Sequence, residues 1–449
     1  DLKEFPFTKN DYENITHGEF KELKLKENGS EVRYLFTADE TRYNISPATA
    51  TEHRSHAYYV MDIQLIIKEY KPKSTWTKIY TSTCYDENGK DVEKPQYGLK
   101  LGTTEADEDG KMGYLTVEQI NNILQNKIDK LGNAIGGPRP ADIENTDQVL
   151  YVDASDLKTV VYKKATSEGV DDELDKVMKS LGKNALFYLP ENLAPAKDNF
   201  ATKTGANEFH ACKDIVLTDK KPFYAPYGIR VDAAQTATYT REITIPKNGK
   251  VANASIILPF TLSLTNGIHT NATADACSFE VLRMHEEDCL FLSDPETASS
   301  RDYYASAKFD RVEGSSTEAN VPYMVKVINA PTDEKISFIA TQYGADVMAS
   351  EDKLETSGYT YSGEKATGKI AGNAYQFSNC GSYAGMKVDR NTKNVFYFSG
   401  NMFLSSKNLL LMYPSVYVYP FRACYRYTRS GQGAKEMIGF DVVADYDNT

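Results

Sequence analysis

Several things are scarce in this sequence. Among 449 residues there is a single tryptophan, Trp76, and there are only six histidines. No apolar run approaches the ~18 residues that cross a bilayer as a helix, so no transmembrane segment is expected. The six cysteines stand at 84, 212, 277, 289, 380 and 424, and no two have CxxC spacing. That absence argues against a zinc or dithiol-redox motif. There is no GxSxG. The nearest text, GSYAG (381–385), places Tyr383 where a nucleophilic serine would stand. SGQGAKE (430–436) lacks the spacing and the Lys-Ser/Thr ending of a phosphate-binding loop. RMHEEDC (283–289) has no second histidine to make HExxH, and on a strand its successive carboxylates point to opposite faces. It reads as a charged edge. Basic charge is also short: Lys and Arg total 51 against 63 Asp and Glu, a net charge of −12. Without clustered cations no nucleic acid partner is expected. The opening DLKEFPF has no basic n-region and no apolar h-region. Either a trimmed cytoplasmic start or a removed export signal fits it.

What is present is β-rich text. The aromatic content is 31 Tyr and 19 Phe, and a quarter of the residues are charged, as in an ordinary globular chain. The length suggests about three domains. YVMDIQLIIKEY (59–70) alternates like a half-buried strand. TWTKIYTSTCY (75–85) is β-branched and aromatic, and Asn88-Gly89 after it supplies a hairpin turn. Two helices are expected. The first spans about 117–131, opened by a capping box of Thr116 and Gln119, with Val117, Ile120, Ile123, Leu124, Ile128 and Leu131 on one face. The second is DDELDKVMKSLG (171–182), with acids in its first turn and Leu174, Val177, Met178 and Leu181 as its apolar stripe. GGPRP (136–140) reads as a linker. From 221 onward short strands recur with Gly, Asn and Ser turns, the pattern of a sandwich.

The expected fold is therefore mainly β, built of β-sandwich modules with two short-to-medium helices, and multidomain. An N-terminal β-rich domain (1–145) ends in the first helix. A short α/β or solenoid-like connector (146–220) follows. A C-terminal β-sandwich module (221–449) has room for two sandwiches.

Order-specific text adds a resemblance. FYLPENL (187–193), CKDIVLTDKKPFYAP (212–226), TYTREI (238–243), ILPF (257–260), NVPYMVKV (320–327), YFSGNMFLSS (397–406) and YPFRACYRY (419–427) follow one another. Together they resemble a C-terminal module of surface and secreted proteins of Bacteroidetes from gut and mouth. PFYAP and YPFRA are the most specific segments, and the resemblance covers 146–449. Before LPF the module usually carries a Trp and often a Cys; here the text is ASIILPF, with neither. The resemblance implies an exported protein, held at the outer membrane or extracellular, with a possible lipid anchor ahead of residue 1. It implies no activity.

Candidate sites are few. DEDGKMGYLTVEQ (107–119) is like an EF-hand calcium loop, with Asp107, Asp109 and Glu118 at positions 1, 3 and 12. Lys111 replaces a ligand at position 5, and Gly113 stands one place late. No other cofactor is expected. Tyr303, Tyr304, Tyr359 and Tyr361 are the tyrosines expected at the surface. In 417–427, Tyr417, Tyr419, Tyr425 and Tyr427 share a parity that would align them on one strand face. Exposed tyrosines suit stacking on sugar rings or on a protein partner, and Tyr417 and Tyr419 are the candidates in that row. Six cysteines are too sparse for a disulfide framework. Buried thiols and at least one disulfide both fit, with Cys277 and Cys289 the easiest pair to close.

The expected function is a non-catalytic cell-surface protein binding polysaccharide or a host or matrix protein. Two alternatives stay open. One is a carbohydrate-active or proteolytic enzyme with its site in the N-terminal region. The other is a structural stalk or fimbria-associated subunit.

Overall fold

The computed structural model describes residues 21–27, 30–36, 71–85, 90–104, 112–162, 173–191, 193, 197–203, 209–231, 236–243, 252–271, 277–292, 302–329, 335–341, 345–347, 354–355, 360–409, 413–431 and 434–444. The fold is mainly β with several sheets, and the described residues include two α-helices. The chain divides into two units, 1–71 and 72–449. In the first, strands Lys21–Glu27 and Ser30–Phe36 pair antiparallel, from Lys21 opposite Phe36 to Glu27 opposite Ser30. The strand expected at 59–70 lies outside the described residues.

The second unit begins with an eight-stranded sheet. Its order is Ala345–Val347, Gly228–Val231, Phe209–Cys212, Phe200–Lys203, Leu186–Leu189, Val149–Asp153, Asp91–Thr103 and Pro72–Tyr85. The last two pair antiparallel, with Tyr85 opposite Asp91 as in the expected hairpin; the Asn88-Gly89 turn itself lies outside the described residues. Asp91–Thr103, Val149–Asp153, Leu186–Leu189 and Phe200–Lys203 run parallel. Val149–Asp153 and Leu186–Leu189 are buried on both faces, which explains why VLYVD and LFYL lack alternation. The expected division at 145/146 falls inside this sheet.

Helix α1 (Val117–Leu124) and helix α2 (Glu173–Ser180) cover one face. Ile120, Ile123, Leu124, Leu174 and Val177 pack there against Leu99, Val152 and Phe187. The Thr116 box forms as read: Gln119 N–H donates to Thr116 Oγ1 at 3.1 Å, and Thr116 N–H to Gln119 Oε1 at 2.9 Å. The helix stops at Leu124, about two turns before the expected end. Asn126 takes φ 52°, and Leu131 is 86% exposed, so the apolar stripe does not extend that far. Arg139 of GGPRP donates to the Leu124 carbonyl at 2.9 Å, and Gly136 O accepts from Ser74 N–H at 2.7 Å. These bonds pin the expected linker to the sheet and to the helix end.

A small sheet of Ile215–Thr218, Thr236–Glu242 and Lys335–Thr341 leads to the largest one. The long sheet runs Asn253–Ile257, Pro322–Asn329, Ser278–Met284, Asp302–Arg311, Glu436–Ala444, Met402–Ser405, Val395–Ser399, Arg422–Ser430, Asn373–Ser382, Thr360–Ile370 and Leu354–Glu355. It curls so that its first strands meet its late ones. Ser255 Oγ donates to Ala423 O at 3.1 Å, and Asn379 Nδ2 to Pro322 O at 2.6 Å. Between the two layers lies an aromatic core that includes Phe309, Tyr375, Phe377, Phe396, Phe403, Tyr425 and Phe440.

A two-stranded ribbon, Met386–Asp389 with Ser415–Val418, stands apart from these sheets. Its Val388 and Val418 pack on Cys380, Tyr397 and Cys424 of the long sheet. No helix among the described residues is long and apolar enough to cross a membrane.

Candidate binding surface

The row of aromatics expected across 417–427 is broken in two. Phe421 sits at φ 65°, a backbone conformation that a bulky residue rarely takes. The chain turns there, and Tyr417 and Tyr425 end in different strands. Tyr425 and Tyr427 enter the core of the long sheet. Tyr417 and Tyr419 stay half-buried, with ring centroids 6.3 Å apart and planes 33° from parallel. Valines 416 and 418 point the other way, into the ribbon's packed face. Lys220 Nζ stands 5.4 Å from the Tyr419 ring centroid, brought in from a distant turn. On the same segment Tyr413 is 59% exposed. The two rings and the ammonium form a small amphipathic platform.

The other candidates fare differently. Tyr303 is 2% exposed, a core residue with Lys435 Nζ 4.9 Å from its ring centroid, so the expected surface role fails. Its neighbour Tyr304 points outward, 46% exposed, as alternation on a strand requires, and its hydroxyl donates to Asn408 Oδ1 at 2.9 Å. Tyr359 lies outside the described residues, as does the side chain of Tyr361, whose backbone is in Thr360–Ile370. Asp107 and Asp109 also lie outside them. Glu118 is exposed in the first turn of α1. Among the described residues no three His, Cys, Asp or Glu side chains group as a metal site. His285 Nδ1 is 2.6 Å from Asp310 Oδ2, which ties the RMHEEDC edge to the neighbouring strand.

Two buried polar nodes were not read from the sequence. In the first, Arg422 grips Asp219 with both terminal nitrogens, at 2.7 and 2.8 Å, and donates to the Tyr239 hydroxyl at 2.6 Å. Tyr239 donates in turn to Asp219 at 2.7 Å. Burial alone would raise the Asp219 pKa; the Arg422 bonds and charge, with the Tyr239 bond, outweigh it and hold the carboxyl below its usual value. This node joins the two most specific sequence segments. Phe223 of PFYAP and Phe421 of YPFRA have centroids 6.1 Å apart, and Tyr239 stacks on Phe421 at 4.6 Å. The Phe421 carbonyl accepts from Ile257 N–H at 3.2 Å, next to LPF.

The second node lies at the carboxyl ends of the parallel strands. Asp153 accepts from Tyr227 Oη at 2.9 Å, from Ser155 N–H at 2.9 Å and from Ser155 Oγ at 2.6 Å. His210, 4% exposed, stacks on Tyr227 and meets the Tyr188 ring edge-on, each at 5.0 Å. Neither of its ring nitrogens has a hydrogen-bond partner among the described residues. Burial lowers its pKa, with the Asp153 charge opposing. Among the described residues no hydroxyl or thiol is bonded to this imidazole, the contact that a nucleophile–base pair of acyl transfer requires.

No family model, curated protein or solved structure matches this chain.

Proposed function

We propose that the chain is a non-catalytic exported surface protein that binds polysaccharide through the Tyr417–Tyr419 platform. The observation that carries this reading is the pair itself: two partly exposed rings, 6.3 Å apart, one on a ribbon whose other face is packed and one just beyond its end. A pyranose ring offers an apolar C–H face that stacks on such rings, and its hydroxyls can accept from Lys220. Rigid aromatic groups lose little conformational entropy on binding, which favours them as contact residues. The resemblance of 146–449 to the Bacteroidetes module supports an outer-membrane or extracellular location.

Native electrophoresis through gels carrying mucin, plant or microbial polysaccharides tests the reading. One polysaccharide is expected to retard the chain, and the double substitution Tyr417→Ala/Tyr419→Ala to abolish the retardation. Retardation that survives the substitution would remove the platform from the account. Unchanged mobility in every gel, with capture by an immobilised matrix protein, would move the partner from glycan to protein.

A further inference from the structure

Two cysteines face each other directly across the long sheet. Strands Asn373–Ser382 and Arg422–Ser430 pair antiparallel, and Cys380 is the register partner of Cys424. Residues directly opposite project to the same face. The Ala423 N–H and C=O both bond the Ser255 hydroxyl, at 3.1 Å each, so they point away from the 373–382 strand. The next residue, Cys424, therefore turns its backbone groups toward Cys380. Such a hydrogen-bonded pair holds its Cα atoms about 5.5 Å apart, inside the span a disulfide bridges. Both side chains stand as thiols in this structure and are buried together with Val388, Tyr397, Leu409 and Val418.

We propose that Cys380 and Cys424 form a cross-strand disulfide, closed while the chain folds by exchange with a disulfide oxidant. One thiolate attacks the oxidant disulfide, giving a mixed disulfide and releasing one oxidant thiol. The second cysteine then attacks the sulfur of the first and displaces the other oxidant thiol. Two protein thiols lose two electrons and two protons, and one oxidant disulfide becomes two thiols. The burial of both residues puts this step before the ribbon packs down.

Among the described residues no other two cysteines are register partners on neighbouring strands. Cys277 and Cys289, the pair closest in sequence, sit in separate cores. As thiols, Cys289 donates to Thr367 O at 3.0 Å, Cys212 to Asp214 O at 3.3 Å and Cys380 to Ser378 O at 3.4 Å. The proposed bridge encloses residues 381–423, which carry both strands of the ribbon with Tyr417 and Tyr419.

The test is to export the full chain to an oxidising bacterial periplasm, unfold and alkylate it without reductant, and map the digest by mass. The expected result is a pair of peptides joined through Cys380 and Cys424, about 2 Da lighter than their reduced forms, with Cys212, Cys277 and Cys289 alkylated. Alkylated Cys380 and Cys424, or their linkage to other cysteines, would overturn the proposal. Melting gives a second readout: reduction is expected to lower the Tm of the wild type but not of Cys380→Ala/Cys424→Ala. A wild-type Tm indifferent to reductant would count equally against the bridge, and the wild-type map decides alone if the double variant does not fold.

Discussion

Arg422 shows how one side chain can hold distant text together. It belongs to YPFRA, and its partners Asp219 and Tyr239 lie about 200 residues earlier in the chain. Replacing Arg422 by Met removes the cation paired with the Asp219 carboxylate and leaves it with the Tyr239 hydrogen bond. The expected loss is about 3–5 kcal/mol by denaturant unfolding at neutral pH. Asp219 has a depressed folded pKa, so its stabilisation is present above the unfolded carboxylate value and lost as pH falls through the folded one. In Arg422→Met only the Tyr239 bond and the Arg241 charge still oppose the burial effect, and acid unfolding is expected to begin at higher pH.

His210 adds acid sensitivity of a different kind. Its folded pKa is lowered by burial, so the unfolded chain takes up the proton first. Stability is expected to decline as pH falls below about 6.5 toward the folded value. His210→Phe is expected to remove that part of the decline, read from urea melts between pH 7 and 5. The sequence signalled neither role. A buried arginine or histidine looks like any other until long-range folding supplies its surroundings.

At the scale of elements, what is local was legible. The Thr116–Gln119 box needs only a four-residue window, and it forms as read. Thr116→Ala is expected to cost about 1 kcal/mol, measured by chemical denaturation. The strands of 72–103 and the apolar stripe of α2 were readable from side-chain type and period for the same reason. The end of α1 was not, because Ile128 and Leu131 continue the helical spacing after the backbone has left the helix.

The break in 417–427 was equally hidden. A turn at φ 65° is usually marked by Gly or Asn, and here it is occupied by Phe421. Packing of that ring against Phe223, Tyr239 and Tyr383 compensates the backbone strain. The curl of the long sheet has its own marker, in Gly381. A Cβ there would fall 2.5 Å from Ile257 Cδ1 and 2.9 Å from its Cβ, across the two layers. Gly381→Ala is expected to destabilise by about 1–3 kcal/mol through overpacking, with a lower Tm as the readout.

At the scale of the molecule, strand order was beyond the sequence. Asp302–Arg311 pairs with Glu436–Ala444, and Asn253–Ile257 meets Arg422–Ser430, so both pairings span more than 100 residues. Periodicity identifies a strand but not its neighbour. The mainly-β class was readable; the two-layered arrangement that leaves a ribbon outside the sheets was not. That ribbon is what separates Tyr417 and Tyr419 from the buried tyrosines of the same row, and it focuses the functional proposal on one surface.

The most direct test of that proposal is a binding comparison on an array of polysaccharides and matrix proteins, using wild type and Tyr417→Ala/Tyr419→Ala of matched Tm. The wild type is expected to bind a polysaccharide and the variant to lose at least about tenfold in affinity, the equivalent of about 1.4 kcal/mol. Equal binding by the two proteins, or no polysaccharide bound by either, would contradict it.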